Sequence, residues 1–214
     1  MKENYLKIIF VIDESGSMQG TESDVIGGFN NFIEQQKLHH QGKITFSLYK
    51  FNSYWSQILN DLPIEEIRPL TSGDYTPGGL TALYDTIGNA IADIENQSKY
   101  TKSEHKASMV MMVIITDGQE NASREYDSRK IKQMIQELEQ SENWQFIYLG
   151  ADLENFADAD TLGLRHKISS KKIEMKKKFD VISEHTVRFR MANPDKDQNS
   201  MWNDFMDDLA KDED

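Results

Sequence analysis

The chain of 214 residues contains no cysteine. Disulfide frameworks and thiolate zinc sites are excluded, and the absence fits a reducing compartment, so a cytoplasmic location is expected. Long apolar runs are missing too: no stretch approaches the roughly 18 residues of a membrane span. The first apolar run, Ile8 to Ile12 within "MKENYLKIIFVID", is too short for a secretory signal and closes on a charge. Neither a signal peptide nor a membrane partner is expected. Positive charge is scarce, with 24 Lys+Arg against 36 Asp+Glu and a formal net charge of −12. Nucleic-acid binding is largely phosphate neutralisation, so no nucleic-acid partner is expected, whereas cation binding suits this surface. The first turn lacks G-x-G-x-x-G, which sets a dinucleotide fold aside. Ser15 has no G-x-S-x-G context, and histidines 39, 40, 105, 166 and 185 lie away from the motif turns, which sets a Ser–His–Asp triad aside.

Hydrophobic residues make up 38% and aromatics 10% of the chain, enough for one folded domain with a small appendage. "LKIIFVI" (6–12) reads as a strand buried on both faces, apart from Lys7. A helix is expected over 23–38, capped by Ser23 or Asp24, with Gly27 and Gly28 permitting close packing. "KITFSLYKF" (43–51) and "YWSQIL" (54–59) flank an Asn52-Ser53 turn and read as an antiparallel hairpin at a sheet edge. A second helix starts near Thr81. "ASMVMMVIIT" (107–116) reads as a central strand, 128–140 as a helix, "WQFIYLG" (144–150) as a strand and 152–163 as a short helix. This alternation predicts an α/β fold: a doubly wound, mostly parallel sheet with one antiparallel edge strand and helices on both faces.

Two segments divide the chain, 1–165 as the domain and 166–214 as an extension packed on it. The extension holds a lysine-rich stretch (166–179), a weak strand at "TVRFRM" (186–191) and an amphipathic helix at 199–214 with an acidic tip. The lysine run reads as solvated or as paired with the chain's own acidic tail.

In an open parallel sheet, ligands bind outside the carboxyl ends of the strands. "VIDESGS" and "IITDGQEN" each place an aspartate there. With "TPGGLT" delivering a threonine at a helix start, five oxygen-bearing side chains are placed to converge: Asp13, Ser15, Ser17, Thr81 and Asp117. All are hard donors, suited to Mg²⁺, Mn²⁺ or Ca²⁺ rather than Zn²⁺ or Cu²⁺. Taken alone, "DESGS" is better explained by a capping turn than by a metal site.

These residues resemble the von Willebrand factor A domain, whose metal-ion-dependent adhesion site has the pattern Asp-x-Ser-x-Ser, then a distant Thr, then a distant Asp. The matches are "DESGS" (13–17), Thr81 of "GGLTALYD" and Asp117 of "ITDGQEN". The likeness covers about residues 5–165 and is nearest to small bacterial and phage members. It implies a doubly wound fold and Mg²⁺ held directly by the serines and threonine, with the aspartates acting largely through water. It further implies that an exposed Asp or Glu of a protein partner completes the coordination, so that the activity is binding rather than catalysis. The alternatives are a Mg²⁺-dependent phosphotransferase or phosphatase with Asp13 as nucleophile, against which Ser15 stands where a second aspartate is wanted, and an assembly scaffold that needs no metal. Glu14 is expected exposed at the rim. Asp85, one turn after Thr81, reads equally as support for the site or as a surface residue.

Overall fold

The computed structural model describes residues 5–39, 42–141, 143–151, 157–164, 166–170 and 175–191. Six strands, β1 (Tyr5–Asp13), β2 (Lys43–Phe51), β3 (Trp55–Pro63), β4 (Met109–Thr116), β5 (Trp144–Ala151) and β6 (His166–Ser170), form one sheet in the order β3-β2-β1-β4-β5-β6. All neighbours run parallel except β2 and β3, the hairpin predicted at the edge. Every residue of β1 and of β4 is buried, because helices cover both faces of the parallel core.

One face carries α1 (Glu22–Leu38) and α5 (Met175–Met191), the other α2 (Leu83–Tyr100), α3 (Ser128–Gln140) and the short α4 (Ala157–Leu162). Side chains alternate between these two cores along each strand. Ile8, Phe10 and Ile12 face α1 and α5, while Ile9 and Val11 face α2 and α3. Phe10 sits at the centre of an aromatic group, with ring centroids at 4.8 Å from Phe32, 5.1 Å from Phe46, 6.0 Å from Phe179 and 6.2 Å from Phe29. Lys7, the one cation in the first strand, is buried because Asp61 meets it at 3.0 Å and Gln97 at 3.1 Å.

Three readings of the sequence change. Residues 186–191 are not a strand: they are the last turns of α5, whose Phe179, Ile182, Thr186 and Phe189 are buried at helical spacing. α1 begins at Glu22, and neither Ser23 nor Asp24 caps it; Thr21 occupies the cap position and donates its hydroxyl back to the Met18 carbonyl instead. Glu14 is not an exposed rim residue. It is half-buried, and it pairs with Lys50 at 2.9 Å. Of the lysine-rich stretch, residues 166–170 form β6 and 175–179 open α5. Residues 171–174 and the amphipathic helix read at 199–214 lie outside the described residues, as does the first part of the helix read at 152–163.

The two glycines of α1 play different parts. A Cβ at Gly28 would stand 2.4 Å from the Phe179 ring, whereas one at Gly27 would meet nothing within 4 Å. Gly28 therefore lets α5 seat its phenyl ring on the α1 backbone. Gly28→Ala is expected to destabilise the protein by about 1–3 kcal/mol through overpacking, while Gly27→Ala is neutral or gains up to about 1 kcal/mol from helix propensity. Urea midpoints of the two variants check this.

Candidate metal centre

The strand order reverses between β1 and β4, which makes their carboxyl ends the switch-point crevice where open α/β sheets hold ligands. Register sets the geometry. Ile12 lies opposite Ile115, so the next residues, Asp13 and Thr116, leave the two strands side by side. The Thr116 hydroxyl donates to Asp13 Oδ2 at 2.5 Å, and the Ser15 backbone N–H donates to Oδ1 at 2.7 Å. Asp13 is fully buried, and its own carbonyl accepts the Tyr75 hydroxyl at 2.6 Å. Burial pushes the Asp13 carboxyl up to about 6; the Thr116 and Ser15 hydrogen bonds pull against that rise and the nearby Asp117 charge adds to it.

The turn after β1 bends through a short 3-10 segment, Gly16–Met18, and brings Ser15 Oγ to 3.0 Å from Ser17 Oγ. Ser15 is buried and Ser17 is exposed. The second loop passes close over this turn: the Gly16 N–H donates to the Gly79 carbonyl at 3.1 Å, and the Gly78 N–H donates to the Glu14 carbonyl at 2.8 Å. Gly79 has φ +87°, and a Cβ there would also strike Ser53 Oγ at 2.8 Å, so glycine is required on both counts. Glu14 ties the same loop down by accepting from the Thr76 N–H at 2.6 Å.

Thr81 is buried just before α2, fixed by its N–H to Asn121 Oδ1 at 2.9 Å and by its carbonyl, which accepts from the Asn121 and Ala122 N–H groups. The third loop, after β4, starts with buried Asp117. At Gly118 the three loops come together. A Cβ built there would lie 2.9 Å from Ser17 Oγ, 3.1 Å from Thr81 Oγ1 and 3.3 Å from Asp13 Oδ2. One point beside Gly118 is thus ringed by oxygens from three of the five residues expected to converge. Ser15 joins through Ser17, and Asp117 is near enough for its charge to act on Asp13 and Tyr75.

Among the described residues, no group of three or more His, Cys, Asp or Glu side chains is placed to hold a metal, so hydroxyls would have to complete any cation site here. The arrangement fits a small hard cation. Two adjacent ligands of an octahedral Mg²⁺ at about 2.0–2.1 Å stand roughly 2.9 Å apart, close to the 3.0 Å between the Ser15 and Ser17 hydroxyls.

Several supporting residues escaped the sequence reading. Glu120 accepts the Tyr84 N–H at 2.9 Å and so satisfies the start of α2, where Ala82 at the cap position offers no side chain to do so. It also accepts the Ala122 and Ser123 N–H groups, and its own N–H donates to Asp158. Asp85, left open by the sequence, holds the same loop: it accepts the N–H groups of Arg124, Glu125 and Tyr126 at 2.8–2.9 Å. Tyr126 then lies over Gly88, where a Cβ would stand 2.6 Å from its ring. The signal present in the sequence was the polar run "TDGQENASREYD" following an apolar strand. Its partners on α2 are distant in sequence and were not legible.

The raised Asp13 value has a consequence for stability. Its folded-state value of about 6 lies above the ordinary 3.8, so the folded protein holds a proton that the unfolded chain releases, and stability falls as pH rises from about 4 to 6. Without divalent cation, this one group is expected to cost on the order of 3 kcal/mol at pH 7 relative to pH 4. Asp13→Asn removes that component. Denaturant midpoints across pH 4–7 in EDTA should show a shallower decline for the variant than for the parent; superimposable profiles would contradict the assignment.

The family model for the von Willebrand factor type A domain matches residues 7–188. A search of curated proteins finds no match. Among solved structures, the PilB minor pilin from Streptococcus sanguinis aligns with a TM-score of 0.63 at 13% identity, over 87% of this chain and 62% of the pilin. The manganese-loaded TRAP protein of Plasmodium vivax aligns with a TM-score of 0.53 at 15% identity, over 83% of this chain and 72% of that protein. Proximal thread matrix protein 1 from the mussel byssus, with a zinc-occupied MIDAS motif, aligns at 0.52 and 16% identity, over 86% of this chain and 46% of that one. The chain spans less than two thirds of the pilin and about half of the byssus protein. At these identities the structural likeness shows the fold. Among the described residues, no helix is long and apolar enough to cross a membrane. With the family model covering β1 through nearly all of α5, on a sheet ordered β3-β2-β1-β4-β5-β6, this chain belongs to the von Willebrand factor type A domain family.

Proposed function

We propose that this domain is a divalent-cation-dependent protein-binding module. Asp13, Ser15, Ser17, Thr81 and Asp117 would hold the cation, Mg²⁺ first and Mn²⁺ or Ca²⁺ as alternatives, and a partner protein's exposed Asp or Glu would supply a further ligand. The observation that carries this reading is the point beside Gly118, ringed by Ser17, Thr81 and Asp13 oxygens within 3.3 Å. The donor chemistry supports it, since hydroxyls and carboxylates are the ligands of hard cations. So do two of the similar solved structures, one manganese-loaded and the other with a zinc-occupied MIDAS motif. A bound cation would supply an electrophilic position for an incoming carboxylate.

The residues of this chain do the rest. Asp13 is held at both oxygens, by Thr116 and by the Ser15 N–H, an arrangement that suits a fixed ligand better than a nucleophile that must swing toward phosphorus. Ser17 stands exposed at the mouth, where a partner side chain arrives. Leu80 and Tyr54, 53% and 74% exposed, lie on the loops beside it and offer apolar contact around the acidic residue.

Calorimetry tests the site. Gly118→Ala places a methyl group among the three oxygens and is expected to weaken Mg²⁺ binding at least tenfold, while Gly78→Ala, with open space around its Cβ, leaves affinity within about twofold. Asp13→Ala with Ser15→Ala is expected to abolish Mg²⁺ binding with the fold retained. Unchanged affinity in the double variant would remove these residues from the site. The carboxylate acceptor is tested with acetate as a minimal probe: in the Mn²⁺-loaded protein its methyl protons should relax faster, and in the Gly118→Ala variant that enhancement should vanish.

A further inference from the structure

α4 supplies none of the five candidate ligands, yet its Asp158 is bonded to the loop that carries one of them. The helix is firmly seated. Ala159 and Leu162 share one face and are fully buried in the core with Ile131, Ile135 and Phe146. Gly163, with φ +69°, closes the helix, and the Leu164 N–H donates to the Ala159 carbonyl at 3.1 Å. Asp158, next to Ala159 and itself buried, is thereby held in place. Both of its oxygens are engaged. Oδ1 accepts the Tyr84 hydroxyl at 2.7 Å, and Oδ2 accepts the Glu120 N–H at 2.8 Å.

These bonds close a ring. Tyr84, in the first turn of α2, enters it twice: its hydroxyl donates to Asp158, and its N–H donates to the Glu120 carboxylate at 2.9 Å. The ring is the junction of two segments that carry candidate ligands. Thr81 lies three residues before Tyr84, and Asp117 lies three residues before Glu120. Asn121, which follows Glu120, grips Thr81 from both sides: its Oδ1 accepts the Thr81 N–H at 2.9 Å, and its own N–H donates to the Thr81 carbonyl at 3.0 Å. Residues 117–127 form no helix or strand, so bonds of this kind, rather than a backbone ladder, set the shape of the loop. A carboxylate on the Glu120 N–H makes a charge-assisted bond, a strong restraint on that shape.

We infer that Asp158 is a positioning residue for the cation site. From α4 it holds Glu120 against the start of α2, and so fixes Thr81 and Asp117 relative to each other. It acts through Tyr84, Glu120 and Asn121. The inference rests on the cation-binding reading and deepens it, by making the β5–β6 crossover a support of the site. A purely structural Asp158 would instead lower stability and leave cation affinity as it is.

Mg²⁺ calorimetry on the full chain, joined to amide hydrogen exchange in EDTA, tests it. Asp158→Ala is expected to weaken Mg²⁺ binding about tenfold or more, with its urea transition confirming a folded protein. Tyr84→Phe, which removes only the hydroxyl, is expected to weaken binding about threefold. The two losses should not add: the double variant should bind as Asp158→Ala does, because the hydroxyl acts through Asp158. In EDTA, the Glu120, Asn121 and Ala122 amides of Asp158→Ala should exchange faster by at least about tenfold more than those of β1 and β4. Where Asp158→Ala does not fold, Asp158→Asn, which keeps one acceptor oxygen, carries the same comparison. Parent-like Mg²⁺ affinity in the Asp158 variant, additive losses in the double variant, or parent-like loop exchange overturns the inference and leaves the cation reading standing. A parent protein that binds no Mg²⁺ overturns that reading, and the inference with it.

Discussion

The hydrogen bond from Thr116 to Asp13 is the contact on which the geometry of the candidate site depends. It joins the carboxyl ends of β1 and β4, the two strands between which the sheet order reverses. A carboxylate with no exposure in the free protein is costly, and the cost is visible in the raised Asp13 value. Asp13 is tolerated because Thr116 and the Ser15 backbone hold it. The same grip fixes where the first turn begins, and therefore where Ser15 and Ser17 point.

Around that contact the three loops are braced by carboxylates that bind backbone N–H groups. Glu14, paired with Lys50, pins the loop of residues 76–79 over the first turn. Asp85 and Glu120 between them accept backbone N–H groups from residues 84, 122, 123, 124, 125 and 126. Charge-assisted bonds of this kind are the stronger class of hydrogen bond. They allow loops with little regular structure to present hydroxyls at fixed positions. Among the described residues, much of the acidity near this end of the sheet is thus structural.

β1, β4 and β5 were legible because each is a short apolar run, and two of them end in a carboxylate and a turn, whereas β6, "HKISS", is no such run and was read only as part of the lysine-rich stretch. The hairpin was legible from alternation in "KITFSLYKF". α5 was not. Its last six residues, "TVRFRM", alternate apolar and polar as a strand would, and the lysines at 176–178 mask the start of the helical stripe. Read from Met175, however, the residues 175, 179, 182, 186 and 189 recur at intervals of four and three, and all are buried. The five candidate ligands were read from two strand-end motifs, a helix start and the family resemblance. The residues that set them, Thr116, Gly118, Glu120 and Tyr75, were not, because each acts through a partner that only the fold brings near.

The cation position proposed beside Gly118 can be located directly. The most direct measurement is a crystal structure of the protein grown with Mn²⁺, with anomalous data collected to locate the ion. One strong anomalous peak is expected within bonding distance of the Ser15 and Ser17 hydroxyls and next to Gly118. A structure with no peak there at saturating Mn²⁺, or with the ion bound elsewhere on the surface, would contradict it.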